Sequence, residues 1–169
     1  MREISLSDGL VTQVDDEDFG WLSKWNWQAR RKKGRENAKF YACRGSGIRM
    51  HREILKVSPF RHVDHINGDT LDNRKSNLRI CTRSQNAANT RVVRSTSGLK
   101  GVYQTAMRAK PWRAGITVEQ RKISLGRFER AEDAARAYDS AALVHFGQFA
   151  ATNVDLGLLP PISYGGADS

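Results

Sequence analysis

Residues 63–90 read VDHINGDTLDNRKSNLRICTRSQNAANT, and this stretch restricts what the rest of the chain can be. An adjacent pair, Asp64 and His65, is followed by Asn77 thirteen residues after Asp64 and by Asn86 nine residues later. Between the pair and Asn77 runs a polar, turn-rich segment with almost no apolar residue. Such a segment adds little to a core, so its side chains are expected to be held for chemistry or binding.

Local signals give that stretch an order. Asn67-Gly68-Asp69 and Asp72-Asn73 are turn formers, which predicts a compact surface loop over residues 66–76. Val63 ends a short strand before it, and residues 78–81 (LRIC) alternate apolar and polar as a second strand after it. Thr82 or Ser84 can cap a short helix, SQNAANT, that carries Asn86. Strand, loop, strand and helix together fold the Asp-His pair and Asn86 toward each other, with Asn77 at the base of the loop.

Upstream, residues 2–14 read as two short strands about Asp8-Gly9, a favoured hairpin pair. Residues 15–29 begin with an acidic first turn and then set Phe19, Leu22 and Trp25 at helical spacing. Trp21, Trp25 and Trp27 crowd together there, and a cluster behind an acidic cap is expected in the core. Residues 30–35 (RRKKGR) lie between two strand-like segments, as a hairpin tip would. In a chain this basic, Arg30, Arg31, Lys32 and Lys33 are candidates for contact with a phosphate backbone as well as for a solvated loop. Residues 39–44 read as a strand with its turn at Gly45 and Gly47. Residues 50–57 form a helical face of Met50, Ile54 and Val57 that ends at Ser58-Pro59.

Charge decides the class of partner. The 169 residues carry a net +10, with an isoelectric point near 10.1. Up to Val93 there are 18 basic and 11 acidic residues, and beyond it 10 and 7, so both parts are basic. That balance exceeds what solubility requires and favours a polyanion, nucleic acid before an anionic membrane surface. The two cysteines, Cys43 and Cys81, form no CxxC, which argues against a zinc site and excludes a disulfide framework. No apolar run approaches the ~20 residues of a membrane span. The N-terminal residues lack the apolar stretch of a signal peptide. A soluble, cytoplasmic protein is therefore expected.

His51-Arg52, Val63-Asp64-His65-Ile66-Asn67-Gly68, Asn77-Leu78-Arg79 and Gln85-Asn86 together resemble the HNH endonucleases. The similar branch is the one in which asparagine replaces the last histidine, typical of phage and intron-associated homing enzymes. The resemblance implies a ββα-metal fold and one divalent cation used to cut double-stranded DNA, with His65 as general base and Asn77 as the residue that fixes the loop and orients it. Phosphodiester chemistry suits these residue types. A histidine takes a proton near neutral pH. Mg²⁺, or Mn²⁺, polarises a phosphate and needs only one or two protein oxygens beside substrate and water. Asp64 and Asn86 supply such a sparse oxygen site. A phage-encoded protein acting in a bacterial host fits this branch. Among the other histidines, His51 is expected to pack near the site. His62 is expected to touch phosphate or stand exposed on its loop, and His145 to be a core histidine.

Residues 91–100 change texture, basic and then small and polar, as a linker does. Three strands are predicted over residues 101–105, 111–118 and 121–128, followed by a helix over residues 131–146. The helix carries a stripe of Ala134, Tyr138, Ala141, Ala142 and His145. Gly101-Val102-Tyr103, Trp112-Arg113-Ala114, Leu125-Gly126-Arg127-Phe128, Glu132-Asp133-Ala134-Ala135, Ala137-Tyr138-Asp139, Ala141-Ala142 and Phe149-Ala150 resemble the APETALA/ethylene-response-factor DNA-binding domain. That resemblance implies a sheet laid in the major groove, with Arg108, Lys110, Trp112, Arg113, Arg121, Lys122 and Arg127 as candidate contacts. Gln104, Thr105 and Ala106 stand where arginines are usual in the plant proteins, so the plant target sequence does not carry over.

The expected architecture is α+β. Residues 1–93 form a ββα-metal nuclease domain. Residues 94–155 form a three-stranded antiparallel sheet packed on one helix, and residues 156–169 a flexible tail. The expected activity is site-specific, metal-dependent DNA cleavage by a monomer or weak homodimer. A non-catalytic DNA-binding regulator with a degenerate nuclease half is the alternative, and an RNA-directed nuclease is a weaker third.

Overall fold

The computed structural model describes residues 1–31, 39–93 and 95–161. The chain folds as two compact units, Met1–Asn86 and Ala87–Ser169. It is a mixed α/β protein with small antiparallel sheets. Among the described residues no helix is long and apolar enough to cross a membrane.

The first unit opens with a hairpin, β1 (Arg2–Ser5) against β2 (Val11–Val14), with Ile4 opposite Thr12. Gly9 takes φ 81° in the turn, a conformation glycine adopts without steric cost. Helix α1 (Asp16–Leu22) carries the acidic first turn, Asp16, Glu17 and Asp18. Next come β3 (Gln28–Arg30), β4 (Tyr41–Arg44) and β5 (Ile48–Arg49), a three-stranded antiparallel sheet, and then α2 (Met50–Ile54). The core gathers Ile4, Leu6, Val14, Leu22, Trp27, Met50, Ile54 and Leu78. Each such large side chain contributes about 1.5–3 kcal/mol on full burial.

Several expectations change here. Trp27 is buried and Trp21 half-buried, but Trp25 is 50% exposed, with the Arg44 guanidinium 4.1 Å from its ring centroid. Helix α1 stops at Leu22, so Trp25 is out of helical phase with Phe19. Helix α2 is also shorter than its pattern, because Lys56 turns the chain at φ 48° before Pro59 is reached. Lys32 and Lys33, expected at a hairpin tip, lie outside the described residues.

The remaining elements of this unit follow the expected order. Strand β6 (His62–His65) pairs antiparallel with β7 (Leu78–Cys81), Asp64 opposite Arg79 and His65 opposite Leu78. A short 3-10 turn, Lys75–Asn77, leads into β7, and α3 (Arg83–Ala88) follows it. Thr82 is the cap. Its Oγ1 accepts from the Gln85 N–H at 3.2 Å, while its own N–H donates to Gln85 Oε1 at 2.9 Å, a reciprocal capping box.

In the second unit β8 (Val102–Gln104), β9 (Trp112–Val118) and β10 (Arg121–Phe128) form an antiparallel sheet with β9 central. Helix α4 (Ala131–Phe146) buries Ala134, Ala135, Tyr138, Asp139, Ala142 and Phe146. His145 is exposed instead of buried, because Phe146, one position on, takes the core side of the last turn. The small residues bring helix and sheet close together. A Cβ on Gly101, which has φ +75°, would lie 1.9 Å from the Tyr138 ring. Behind the helix, Asp139 Oδ1 accepts from the backbone N–H (2.7 Å) and side chain (2.8 Å) of Asn153. Leu159 is buried in the core of this unit, so the stretch taken as a tail packs at least that far.

Candidate active site

Asp64 and His65 are 5% and 4% exposed, an unusual degree of burial for two such groups. Their partners explain how they are tolerated. Arg79, directly across on β7, donates through Nε at 2.9 Å and through Nη2 at 2.7 Å to Asp64 Oδ2. The buried carboxylate is therefore met by a cation already in the fold.

The ring of His65 meets Asn73, with Nε2 3.3 Å from Asn73 Oδ1. The orientation of Asn73 is settled one step further back. The Thr12 hydroxyl donates to the Leu71 carbonyl at 2.6 Å, so its oxygen accepts from Asn73 Nδ2 at 2.7 Å. The Asn73 amide oxygen is thereby turned to the histidine. An acceptor there requires the proton on Nε2 and leaves the lone pair of the neutral ring on Nδ1. Asn73 is 1% exposed, so this chain is shielded from competing water.

Burial is the largest influence on His65 and pulls its pKa below the ordinary histidine value, against the Asn73 bond and the charges of Asp64, Asp69 and Asp72. His51 stands edge-on to it, ring centroids 5.0 Å apart, and Tyr41 lies 5.7 Å from His51 and 6.2 Å from His65. Burial, with the nearby charges of His65, Arg49 and Arg52, drives His51 down to about 3. His51 is neutral at any working pH and flanks the His65 ring.

Asn77 takes one of the two parts expected of it, fixing the loop, and leaves the contact with the histidine ring to another residue. Its Oδ1 accepts from the Asn67 N–H at 2.9 Å and its Nδ2 donates to the Asp72 carbonyl at 2.8 Å. Both ends of the amide brace the loop, and the residue that meets the histidine ring is Asn73. The loop is tied further by Arg74, which donates Nε and Nη2 to Asp72 at 2.7 and 2.6 Å and holds that carboxyl below its usual range. Lys39 Nζ donates to the Gly68 carbonyl, and Thr70 Oγ1 to that of Phe40.

Asn86 is half-buried on α3, its N–H bonded to the Thr82 carbonyl at 3.0 Å. Its side chain has no hydrogen-bond partner among the described residues. Also among those residues, no three His, Cys, Asp or Glu side chains stand together to hold an ion. A buried carboxylate and a carboxamide are hard oxygen donors. They suit a cation that keeps water and takes substrate oxygens, and they do not suit one that needs an all-protein cage.

The other candidates fall into groups. Arg30 donates Nε and Nη2 to Gln28 Oε1, and Arg31 lies 5.5 Å from the Phe40 ring centroid; both are exposed. In the second unit Tyr103, Arg113 and Arg127 are paired in register across β8, β9 and β10, and Lys122 pairs with Thr117 on the same open face. Arg121 has the strand parity of Ile123, the register partner of buried Ile116, and is exposed at the strand end. Arg108 and Lys110 are exposed between β8 and β9. Trp112 departs from expectation, since it packs half-buried against the core.

Asn73 and Arg79 were missed as site residues. Asn73 looks like any turn former, and Arg79 is visible only once the strand register is known.

A family model described as HNH endonuclease matches residues 61–88. An uncharacterized HNH endonuclease, L560, of Acanthamoeba polyphaga mimivirus is 35% identical over 112 residues, covering 63% of this chain and 57% of that protein. Protein 3.8 of Escherichia phage T7 is 33% identical over 90 residues, covering 53% of this chain and 73% of that protein. No solved structure matches significantly.

Proposed function

The chain belongs to the HNH endonuclease family, and we propose that it is a site-specific, divalent-metal-dependent DNA endonuclease of the homing type. The observation that carries this reading is the relay from Leu71 through Thr12 and Asn73 to His65, because it aims one defined lone pair, Nδ1, from a buried and neutral ring. A residue that merely filled a core would need no fixed tautomer.

In this reading Nδ1 of His65 takes a proton from the water that attacks phosphorus, and the phosphorus–oxygen bond to the leaving sugar breaks as the new bond forms. Asn73 holds the ring and, as Nε2–H acceptor, stabilises the imidazolium that results. His51 and Tyr41 exclude water from its flank. Asn77 keeps loop and strand in register. Asp64 and Asn86 would hold one Mg²⁺ or Mn²⁺, which when bound supplies charge neutralisation for the phosphate and the leaving oxygen. The order β6, β7, α3 supports reading this assembly as a ββα-metal centre.

The second unit serves as the grip on double-stranded DNA. Support comes from its resemblance to the APETALA/ethylene-response-factor domain and from the open sheet face with Tyr103, Arg113, Lys122 and Arg127 in neighbouring rows. Such cations reach phosphates and guanine edges without strand rearrangement.

The test is supercoiled plasmid incubated with the full chain in Mg²⁺, in Mn²⁺ and in EDTA, beside Asp64→Asn. Nicked or linear product in either metal and none in EDTA is expected, with Asp64→Asn binding DNA but not cutting it. Plasmid left supercoiled by wild type across metals and targets would refute the reading in favour of a DNA-binding regulator.

A further inference from the structure

Phe60 is 91% exposed, the most exposed large hydrophobic side chain among the described residues. A lone surface hydrophobe is ordinary, but this one is held out by a built support. Ser58-Pro59-Phe60-Arg61 is a β-turn closed by the Arg61 N–H on the Ser58 carbonyl at 3.1 Å, with proline at the position that presets its φ. The Arg52 guanidinium braces the same turn from behind, Nη1 on the Arg61 carbonyl at 2.8 Å and Nη2 on the Ser58 carbonyl at 2.7 Å. Arg52 itself stands on α2, whose Met50, His51 and Ile54 are buried. Three hydrogen bonds and a proline thus fix a loop tip whose aromatic side chain stands almost wholly in solvent.

The setting is basic. From Ile54 to Val63 there is no carboxylate, and Lys56, Arg61 and His62 are exposed. Asp64 follows Phe60 by four residue steps, at most about 14 Å of extended chain. That is roughly four base-pair steps at about 3.4 Å each. A phosphate held at Asp64 and His65 therefore belongs to the same short length of duplex that Phe60 can reach.

We infer that Phe60 is a wedge that inserts between adjacent base pairs beside the cleaved phosphate, with Lys56 and Arg61 on the flanking phosphates. The inference rests on the DNA-cutting reading and adds its contact with the bases. A rigid aromatic at a stiff tip loses little entropy on insertion, and stacking offsets the cost of opening the step. Exposure of this kind costs the free protein burial it could otherwise gain, which a merely structural residue on a braced turn has no reason to forgo.

The test uses the full chain and a duplex centred on a cut site mapped by primer extension of nicked plasmid. 2-Aminopurine is placed in turn at each position within four base pairs of the cut, and binding is followed in EDTA. Wild type should raise 2-aminopurine fluorescence at one step. Phe60→Ala should abolish that rise and weaken binding roughly tenfold, and Phe60→Trp should restore both. The exposure of the residue predicts unchanged melting for both variants. No fluorescence change at any step with wild type, or the same change with Phe60→Ala, overturns the wedge while leaving the nuclease reading intact. Weaker binding by Phe60→Ala without a fluorescence difference also overturns it, since contact without insertion is then the finding. Absence of any cut site would remove the nuclease reading and the wedge together.

Discussion

Asp64 and His65 are almost wholly buried, each hydrogen-bonded to a neighbouring side chain, whereas Arg113, Lys122 and Arg127 stand exposed on an open sheet. Both units bury polar groups, Asp139 and Asn153 among them in the second, but the ionisable side chains at the two candidate sites are set differently. In the first, Asp64 and His65 are taken out of water and held by hydrogen bonds, and the Asn73 that meets the histidine is itself oriented by a second one from its Nδ2 to Thr12. In the second, the core gathers Val102, Ala114, Ile116, Ala134, Tyr138 and Phe146, and Arg113, Lys122 and Arg127 are left in water on the sheet. Chemistry needs preorganisation; grip needs accessible charge. Damage to one unit should therefore differ in kind from damage to the other.

The largest separation is expected from Gly101→Ala. A Cβ at φ +75° and 1.9 Å from the Tyr138 ring forces helix and sheet apart. The second unit should lose about 3 kcal/mol, roughly a hundredfold in its folding equilibrium, and DNA affinity should fall with it. Urea denaturation followed by hydrogen exchange in α4 checks this, and unchanged exchange there would show that the close approach is dispensable.

A smaller effect, confined to the first unit, is expected from Asn73→Ala. The His65 ring loses its acceptor, Thr12 loses its donor, and the tautomer is no longer selected. Single-turnover cutting at saturating DNA should slow roughly tenfold to a hundredfold with DNA affinity unchanged. A fall in affinity without a fall in rate would assign Asn73 to binding.

The mildest probe is acid. His51 in the fold sits at about 3 and His65 is also lowered, both below the ordinary 6.5 of the unfolded chain. A depressed folded value means that the unfolded chain takes the proton first. The stability from these two rings is complete above about pH 6.5 and is lost as pH falls toward their folded values. Lys100 in the second unit, lowered by burial to about 8 from 10.5, shifts its own dependence to the alkaline side. Melting followed at the tryptophans of the first unit should drop between pH 7 and 5, and His51→Phe should flatten that slope. An equal slope in the variant would remove His51 as its cause.

What the residues disclosed beforehand follows the same division. The order strand, loop, strand, helix at residues 62–88 was legible because turn formers and alternation are local signals. The strands near residues 111–128 and the helix over residues 131–146 were legible for the same reason. Asn73, Arg79 and the Thr12 contact depend on pairs eight to sixty-one residues apart, which no local pattern encodes. His145 and Phe146 differ by one position on a helix, within the phase error of an apolar stripe. Trp25 was misplaced because a three-residue shortening of α1 takes it off the buried face.

The central claim is that cutting resides in the first unit and grip in the open sheet of the second. It is tested most directly by measuring affinity and single-turnover rate on one duplex for two full-length variants. His65→Ala should lose roughly a hundredfold to ten-thousandfold in rate and keep its affinity. Arg113→Ala/Arg127→Ala should lose affinity, with a shallower salt dependence, and keep its rate at saturation. If either variant loses both quantities together, or if the arginine pair changes the saturated rate as much as His65 does, the division of labour described above is wrong.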